Sequence, residues 1–354
     1  MNFNGNSGMT AREMVVVMIL LLVLAAVLLP ALLRSKHAAR RASCQNNLKQ
    51  FGLVYKMYAT ESRDELYPAM SLRGFERDDG GLHMTFNFGP DLEAIYVEYL
   101  TDLGILICPE SRSPSMNRFL PSFLRKPPDF RHLRPDEFMT EDGRSLVNEW
   151  RGPEDGGALT AEGTPCTDPR SCIHAVDNSY WYWGFVFDKL DEEHGTAPVD
   201  ALSMAMAAHG VEPRTGEAPA QLVQAFEEIL LERALPAFAA GDLAALNLAA
   251  HADVPVTLGN ADTQTIHRLR EGIERFFITD IGNPQASQIA QAQIVVMFDA
   301  IGVSALDQDN LMFNHKEGGC NVPFMDGHVE FVRYRDRPPV TSPVAEFAAA
   351  VLRH

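Results

Sequence analysis

One uninterrupted apolar stretch near the N-terminus limits what this chain can fold into. From Met14 to Leu33 the chain runs for 20 residues without an ionisable side chain. As a helix, a run of that length measures about 30 Å, which is the thickness of the hydrocarbon core of a bilayer. The sequence therefore predicts a single membrane-spanning helix here.

A carboxylate stands immediately before this run. Glu13 would lie at the mouth of the span, where an ionised side chain is unfavourable unless a cation is close by. Cutting the chain after Gly8 would supply that cation, because the new α-amino group of Met9 lies about one helical turn from Glu13. The amino group of a neighbouring chain in a bundle of such helices would serve equally well.

The stretch from Gly8 to about Tyr58 resembles the prepilin-type cleavage and methylation signature of type IV pilins and type II secretion pseudopilins. The resemblance lies in GMTARE, in the apolar VVVMILLLVLAAVLLPAL and in the following CQNNLKQFGL. It implies that a prepilin peptidase cuts after Gly8 and methylates Met9. It also implies that Glu13 is the carboxylate used in assembly.

The basic residues follow the apolar run instead of preceding it. The leader MNFNGNSG contains no Lys or Arg, whereas Arg34, Lys36, Arg40 and Arg41 come after the span. The positive-inside rule alone would place the C-terminal part in the cytoplasm. The cysteines and the orientation of the resembled family favour the opposite: a single pass of the bacterial inner membrane, with the head in the periplasm or at the cell surface. A plain, uncut signal anchor is the alternative interpretation of the same helix.

Composition argues against a nucleic-acid-binding protein. The chain has 30 Lys and Arg against 47 Asp and Glu, a net charge of −17, whereas nucleic-acid binders carry a basic balance. We interpret the basic residues at 34–41 as a collar that contacts lipid headgroups. The sequence contains no GxSxG, HExxH or P-loop motif, and we expect no enzymatic activity.

Five cysteines are spread along the chain without any CxxC pair, which gives a thioredoxin-like or zinc-finger interpretation no support. In an exported protein, disulfides are permitted. The candidate pairs are Cys166 with Cys172, which enclose a short loop, and Cys44 with Cys108; Cys320 is then left over. The alternative for all five is a small buried apolar side chain.

The fold class expected is α+β and pilin-like, in which a long N-terminal helix packs on an antiparallel β-sheet in the C-terminal head. We assign residues 1–8 to a leader, 9–60 to the transmembrane and stalk helix, and 61–354 to the head. Two insertions are expected in the head, a loop-rich one at 109–179 and a helical one at 197–252.

Three segments carry further structural signals. Apolar residues at helical spacing predict the stalk face that contacts the head: Leu48, Phe51, Tyr55 and Tyr58. The segment Tyr180–Phe187 (YWYWGFVF) predicts a strand, whose aromatic side chains are either core or a sugar-stacking platform. The segment Thr263–Phe277 predicts a helix.

The C-terminal block at 313–334, FNHKEGGCNVPFMDGHVEFVRY, predicts a β-hairpin with Asp326 and Gly327 in a type I′ turn. It resembles the prepilin-type processing-associated motif, in which Asp-Gly follows a histidine after nine residues. Here ten residues separate His315 from Asp326. The resemblance implies a large pseudopilin-like protein.

The same block contains residue types that bind metals. His315, Glu317, Asp326 and His328 lie within 14 residues and are candidates for a divalent metal site. The simpler interpretation is that His315 bonds to the hairpin backbone and Asp326 makes the turn. No other cofactor is expected.

Together these features predict a membrane-anchored, pseudopilin-like structural subunit of a type II secretion or type IV pilus-like assembly. Its partners would be a prepilin peptidase, the lipid bilayer and other pilin-like subunits packed along the N-terminal helix. The alternative is a tethered surface protein that never polymerises and binds carbohydrate or a protein through Tyr180–Phe187 and the loop-rich region at 109–179. An anchored hydrolase using His315 is a third hypothesis.

Overall fold

The computed structural model describes residues 11–76, 82–95, 98–106, 108–110, 179–207, 213–278, 290–303, 311–315 and 317–351. Inside the N-terminal helix, the side chains at positions 27, 30, 31 and 33 are also outside the description. The predicted cleavage site at Gly8 and Met9 and the candidate pair Cys166 and Cys172 lie outside these ranges. So does nearly all of the loop-rich insertion expected at 109–179.

Helix α1, Ala11–Glu61, is the longest element and has 51 residues. Its N-terminal half is rich in Leu, Ala and Met, which are strong helix formers, and its full length is about 77 Å. Glu13 lies in the first turn, where the positive end of the helix dipole favours a carboxylate. The helix ends at Glu61, and the hydroxyl of the next residue, Ser62, lies 3.2 Å from the carbonyl oxygen of Ala59 and 2.6 Å from that of Leu66.

The two halves of α1 have different surroundings. From Met14 to Leu24 every side chain is apolar and is 43–70% exposed. From Cys44 onward one face is fully buried against the head, and its members recur at steps of three and four: Cys44, Leu48, Phe51, Tyr55 and Ala59. The predicted stripe is therefore confirmed, with Tyr58 only partly buried at its edge. Counting only described positions, no helix is long and apolar enough to cross a membrane.

The strands of the described residues form six antiparallel pairs instead of one continuous sheet. The pairs are β1 (Met70–Glu76) with β2 (Leu82–Pro90), β3 (Tyr180–Trp181) with β8 (Phe298–Asp299), β4 (Thr196–Pro198) with β5 (Glu217–Pro219), β6 (Val254–Pro255) with β7 (Thr265–Ile266), β9 (Ile301–Val303) with β10 (Leu311–Phe313), and β11 (Gly319–Pro323) with β12 (Val329–Arg333).

Short helices occupy the region where the helical insertion is expected. They are α3 (Asp200–Ala207), α4 (Ala220–Phe226), a π-helical segment (Glu227–Ala234), α5 (Leu235–Ala240) and α6 (Leu243–Leu248). Gly241, with φ +71°, ends α5, and the Asp242 side chain caps α6 by accepting a hydrogen bond from the amide of Ala245. Two more α-helices lie in the described part of the head: α2 (Leu92–Ile95) and α7 (Ser342–Val351).

The aromatic segment that begins with β3 separates two hydrophobic cores. Tyr180 and Tyr182 face the core that contains the buried stripe of α1. Trp181 and Trp183 face a second core, formed with the helical region and α7. This alternation follows from the two-residue period of an extended chain. Both tryptophans are at most 6% exposed, so the sugar-stacking platform considered for this segment is not formed.

The helix predicted at Thr263–Phe277 is wrong. The segment begins with β7, continues through isolated bridges at Arg268 and Arg270, and ends in a 3₁₀-helix at Ile273–Phe277. Side chains of the preceding loop accept hydrogen bonds from backbone N–H groups of this segment. For example, the side-chain oxygen of Asn260 accepts a hydrogen bond from the amide of His267 at 2.7 Å. These tertiary partners override the helical propensity of the segment.

The predicted C-terminal hairpin is present as β11 and β12, with Pro323 opposite Val329. Its turn is not of type I′, which needs a positive φ at both central residues. Of Asp326 and Gly327, only the glycine has a positive φ, +92°. The amide of Gly327 donates to the carbonyl of Phe324 at 2.9 Å, and the Asp326 carboxylate accepts from the amide of His328 at 3.0 Å.

Tyr55 provides a test of the contact between α1 and the head. Its ring lies 4.7 Å from the ring of Tyr182 and 6.0 Å from that of Tyr67, and its buried hydroxyl has no hydrogen-bond partner among the described residues. We expect Tyr55→Ala to lower the free energy of unfolding by about 3–5 kcal/mol. Tyr55→Phe, the matched control, should be neutral or stabilising, because it removes an unsatisfied hydroxyl.

The measurement is chemical unfolding of the full-length protein in detergent, with tryptophan fluorescence as the signal that reports unfolding. Equal losses of stability in the two variants would contradict a packing role for the ring.

Candidate functional site

A buried polar cluster lies where α1 meets the C-terminal hairpin. We call it the His315 cluster, and its members come from five separate parts of the chain. All six are at most 4% exposed: Cys44 of α1, Cys108 and Glu110 of the loop after α2, Asp299 at the end of β8, His315 after β10, and Asn321 of β11. Buried polar groups of this kind require partners, so each contact within the cluster matters for folding.

Backbone contacts around Ser179 hold the segments of the cluster together. The Ser179 carbonyl accepts hydrogen bonds from the amide of Ala300, at 2.9 Å, and from the side chain of Asn314, at 2.7 Å. Next to it, Tyr180 is paired with Asp299 in the β3–β8 ladder. The Ser179 carbonyl therefore holds three segments together: the start of β3, the end of β8 and the residue before His315.

The imidazole of His315 lies between two carboxylates. Its Nδ1 is 2.9 Å from Oε2 of Glu110, and its Nε2 is 2.9 Å from Oδ2 of Asp299. The same Asp299 oxygen accepts the backbone amide of Asn321 at 2.6 Å. The ring edge of Phe331 covers the imidazole, with the ring centroids 5.9 Å apart. The histidine is thus completely enclosed.

These contacts set the charge of the cluster. Burial alone would lower the pKa of His315, but its hydrogen bonds to Asp299 and Cys108 raise this pKa to about 11. For Glu110, burial raises the pKa, and the hydrogen bonds from His315 and His37 lower it below its ordinary value. The His315 ring therefore lies between two acidic side chains, and its hydrogen bonds favour its charged form.

Two cysteines complete the inner part of the cluster. Cys44 donates to Oδ1 of Asp299 at 3.1 Å, and Cys108 lies 3.7 Å from Nε2 of His315. A hydrogen bond from Cys44 lowers the pKa of Cys108, against the effect of burial, and with the contribution of His315 this pKa is about 7. Burial raises the pKa of Cys44 well above its ordinary value.

The candidate disulfide between Cys44 and Cys108 is not formed in this structure. Their sulfur atoms lie within 4.8 Å of each other, so the predicted neighbours do meet, but both are free thiols. Cys320, which was left over in the sequence analysis, is a third buried free thiol.

Basic residues of α1 cover the outer side of the cluster. The ring of His37 is hydrogen-bonded to the second oxygen of Glu110. One turn further on, Arg41 lies 5.0 Å above the ring of Phe331 and 3.7 Å from the carboxylate of Glu317. The basic segment predicted as a lipid collar thus also contributes contacts to the head.

The motif residues separate into two places. His315 is at the centre of the cluster, whereas Asp326, Gly327 and His328 form the exposed hairpin turn, where His328 stacks on Phe324 at 4.4 Å. Among the described residues, no group of potential metal ligands contains Asp326 or His328. His315 is grouped instead with Cys44, Cys108 and Asp299, and also with Glu110 and Glu317.

Sequence reasoning missed Asp299 and Glu110. Asp299 follows the apolar run IVVMF, and a carboxylate that closes a buried strand is the one signal that could have identified it. Glu110 stands two residues after Cys108 and carries no local signal, because its role depends on contacts with His37 and His315, both more than 70 residues away.

The ionic centre of the cluster can be tested with two matched substitutions. His315→Gln should lower the free energy of unfolding by about 3–5 kcal/mol, because two buried carboxylates lose their cation. His328→Gln, at the exposed turn, should change it by no more than about 0.5 kcal/mol. Thermal unfolding of the full-length protein in detergent measures both, and similar melting temperatures for the two variants would contradict the central role of His315.

Comparison with known proteins gives one partial match. A family model described as "Protein of unknown function (DUF1559)" matches residues 34–82. This family is associated with pilin-like or secreted proteins. No curated protein and no solved structure matches the chain. The matched segment begins in the basic part of α1, contains the buried stripe with Cys44, and ends at the start of β2.

Proposed function

We propose that this protein is a membrane-anchored, pilin-like structural subunit whose N-terminal helix is both its anchor and its assembly surface. The observation that carries the proposal is the exposed apolar half of α1. Eleven consecutive apolar residues, Met14–Leu24, are exposed, and eleven residues make about three turns. The helix is therefore apolar on all sides, a property of helices that are buried in a membrane or among other helices.

Water is an unfavourable environment for this surface. Soluble monomers rarely expose continuous apolar patches of more than a few hundred Å², and the described part of the structure leaves every side chain from Met14 to Leu24 at least 43% exposed. Lipid and the helices of neighbouring subunits are the two environments that would cover it. In a pilin-like assembly both apply in turn, lipid before assembly and neighbouring helices afterwards.

The second half of α1 supports lateral packing. Its buried face holds the head, while Leu53 and Met57 on the other side remain 61% and 40% exposed. These two exposed apolar side chains lie on the stalk, beyond the predicted span. The partial family match, which covers this half of the helix, supports a pilin-like or secreted protein.

The proposal assigns roles to Gly8, Met9 and Glu13. A prepilin peptidase cuts after Gly8 and methylates Met9 in the bacterial inner membrane, and the head lies in the periplasm or at the cell surface. Glu13, in the first turn of α1, then pairs with the new amino group of its own chain or of a neighbour. The positive end of the helix dipole adds to the stabilisation of this carboxylate.

Processing is tested by intact-mass and N-terminal peptide mass spectrometry of protein from the membrane fraction. We expect a chain that begins at Met9 and carries one added methyl group. Gly8→Val is the control and should leave a chain that begins at Met1, because the residue before the cut is changed. A wild-type chain that begins at Met1 would instead favour the uncut anchor that does not polymerise.

Assembly is tested by cross-linking in intact membranes. We expect Glu13→Gln to reduce cross-linked oligomers by about tenfold or more, which corresponds to losing roughly 1.4 kcal/mol of interaction, while the amount of protein in the membrane is unchanged. Glu232→Gln, an exposed carboxylate of the head, is the matched control and should leave oligomers unchanged. Normal oligomer formation by Glu13→Gln would remove the assembly role.

A further inference from the structure

We propose that Cys44, Cys108, Asp299 and His315 bind one zinc-type divalent metal ion that joins the stalk helix to the head. Each residue offers one ligand atom, and these four atoms all lie within 4.8 Å of one another. All four residues are at most 2% exposed. This inference does not depend on whether the protein is processed or polymerises.

The ligand set selects the class of metal. Two sulfurs, one imidazole nitrogen and one carboxylate oxygen suit a tetrahedral zinc ion, whereas magnesium and calcium require oxygen ligands. All four positions are occupied by protein atoms, which is the pattern of a structural site and not of a catalytic one.

The distances are close to those of a tetrahedral site. Around zinc, neighbouring ligand atoms are separated by roughly 3.3–3.8 Å. Here Cys108 Sγ lies 3.7 Å from His315 Nε2, Cys44 Sγ lies 3.1 Å from Asp299 Oδ1, and the nitrogen of His315 lies 2.9 Å from Asp299 Oδ2. The 3.7 Å separation fits this range, whereas the other two are hydrogen-bond distances to the two different oxygens of Asp299. One of these oxygens would bind the metal after the ligand atoms move apart by about 0.5 Å.

The groups around the four ligands also match a metal site. Histidine ligands usually donate their second ring N–H to a carboxylate, which directs the other nitrogen to the metal. Glu110 accepts that bond from Nδ1 of His315 at 2.9 Å and is itself held by His37. Asn321 supports Asp299 through its backbone amide at 2.6 Å and its side chain at 3.0 Å.

One buried polar atom points to a role beyond packing. The side-chain oxygen of Asn321 is buried without a hydrogen-bond partner in the described part of the chain, although its nitrogen lies 2.8 Å from Nε2 of His315. Movement of the His315 ring toward a metal would leave this amide free to adjust.

The consequence of such a site is structural. Cys44 belongs to α1, while Asp299 lies 255 residues further along the chain. A metal held by both would bind only the folded state and would therefore stabilise it.

The first experiment is metal analysis of the full-length, tag-free protein purified in detergent without chelator. We expect about one zinc ion per chain in the wild type and less than about a tenth of that in Cys108→Ser and Asp299→Asn, since a structural zinc needs its four ligands. Cys320→Ser is the matched control, because it removes another fully buried free thiol that is not a ligand, and it should keep the metal.

A second measurement is independent of how well the variants fold. Wild-type protein stripped with a chelator should melt roughly 5–10 °C lower, and zinc, but not magnesium, should restore the original value. Cobalt added to the stripped protein should give the thiolate charge-transfer and strong visible bands of tetrahedral coordination.

The absence of stoichiometric zinc, together with no shift in melting temperature on adding it, would overturn the proposal. A disulfide between Cys44 and Cys108, found by peptide mapping of the metal-free purified protein, would also overturn it.

Discussion

The burial of one stripe of α1 against the head is the contact on which the rest of the structure depends. From Cys44 to Ala59 this stripe forms one wall of the first core, and the tyrosines of the aromatic segment form the other. The aromatic segment then turns its tryptophans to the second core. The aromatic segment therefore links the helical region and α7 to α1.

The His315 cluster lies at one end of this contact and gives it specificity. An apolar stripe alone tolerates small shifts of the helix, because apolar contacts are non-directional. A histidine between two buried carboxylates does not, because a shift of one residue would leave charges unpaired in the interior. Cys44 places the helix in register with Asp299, while His37 and Arg41 extend the polar contacts toward the N-terminus of α1. Packing holds the helix, and the polar cluster fixes its position.

Local pattern was sufficient for some elements and insufficient for others. The stripe Leu48–Tyr55 and the hairpin could be predicted, because helical spacing and a turn residue are properties of a few neighbours. The helix expected at Thr263–Phe277 failed, because Asn260 and the bridges to distant strands determine that backbone.

His315 was identified through its motif, but Asp299 and Glu110 were not. Their positions depend on contacts across more than 200 residues, which no window of sequence contains. The anchor, cleavage and assembly remain predictions.

The place where α1 joins the head has a mechanical consequence. The polar cluster contacts the helix at His37 to Cys44, well before the chain leaves the helix at Ser62. A force applied along α1 is therefore shared between the peptide link at Ser62 and side contacts that are spread over several turns. Contacts loaded in parallel along a helix must break together, whereas a hinge at the chain connection would yield one bond at a time. The head is therefore attached along the side of α1 and not only at the C-terminal end of the helix.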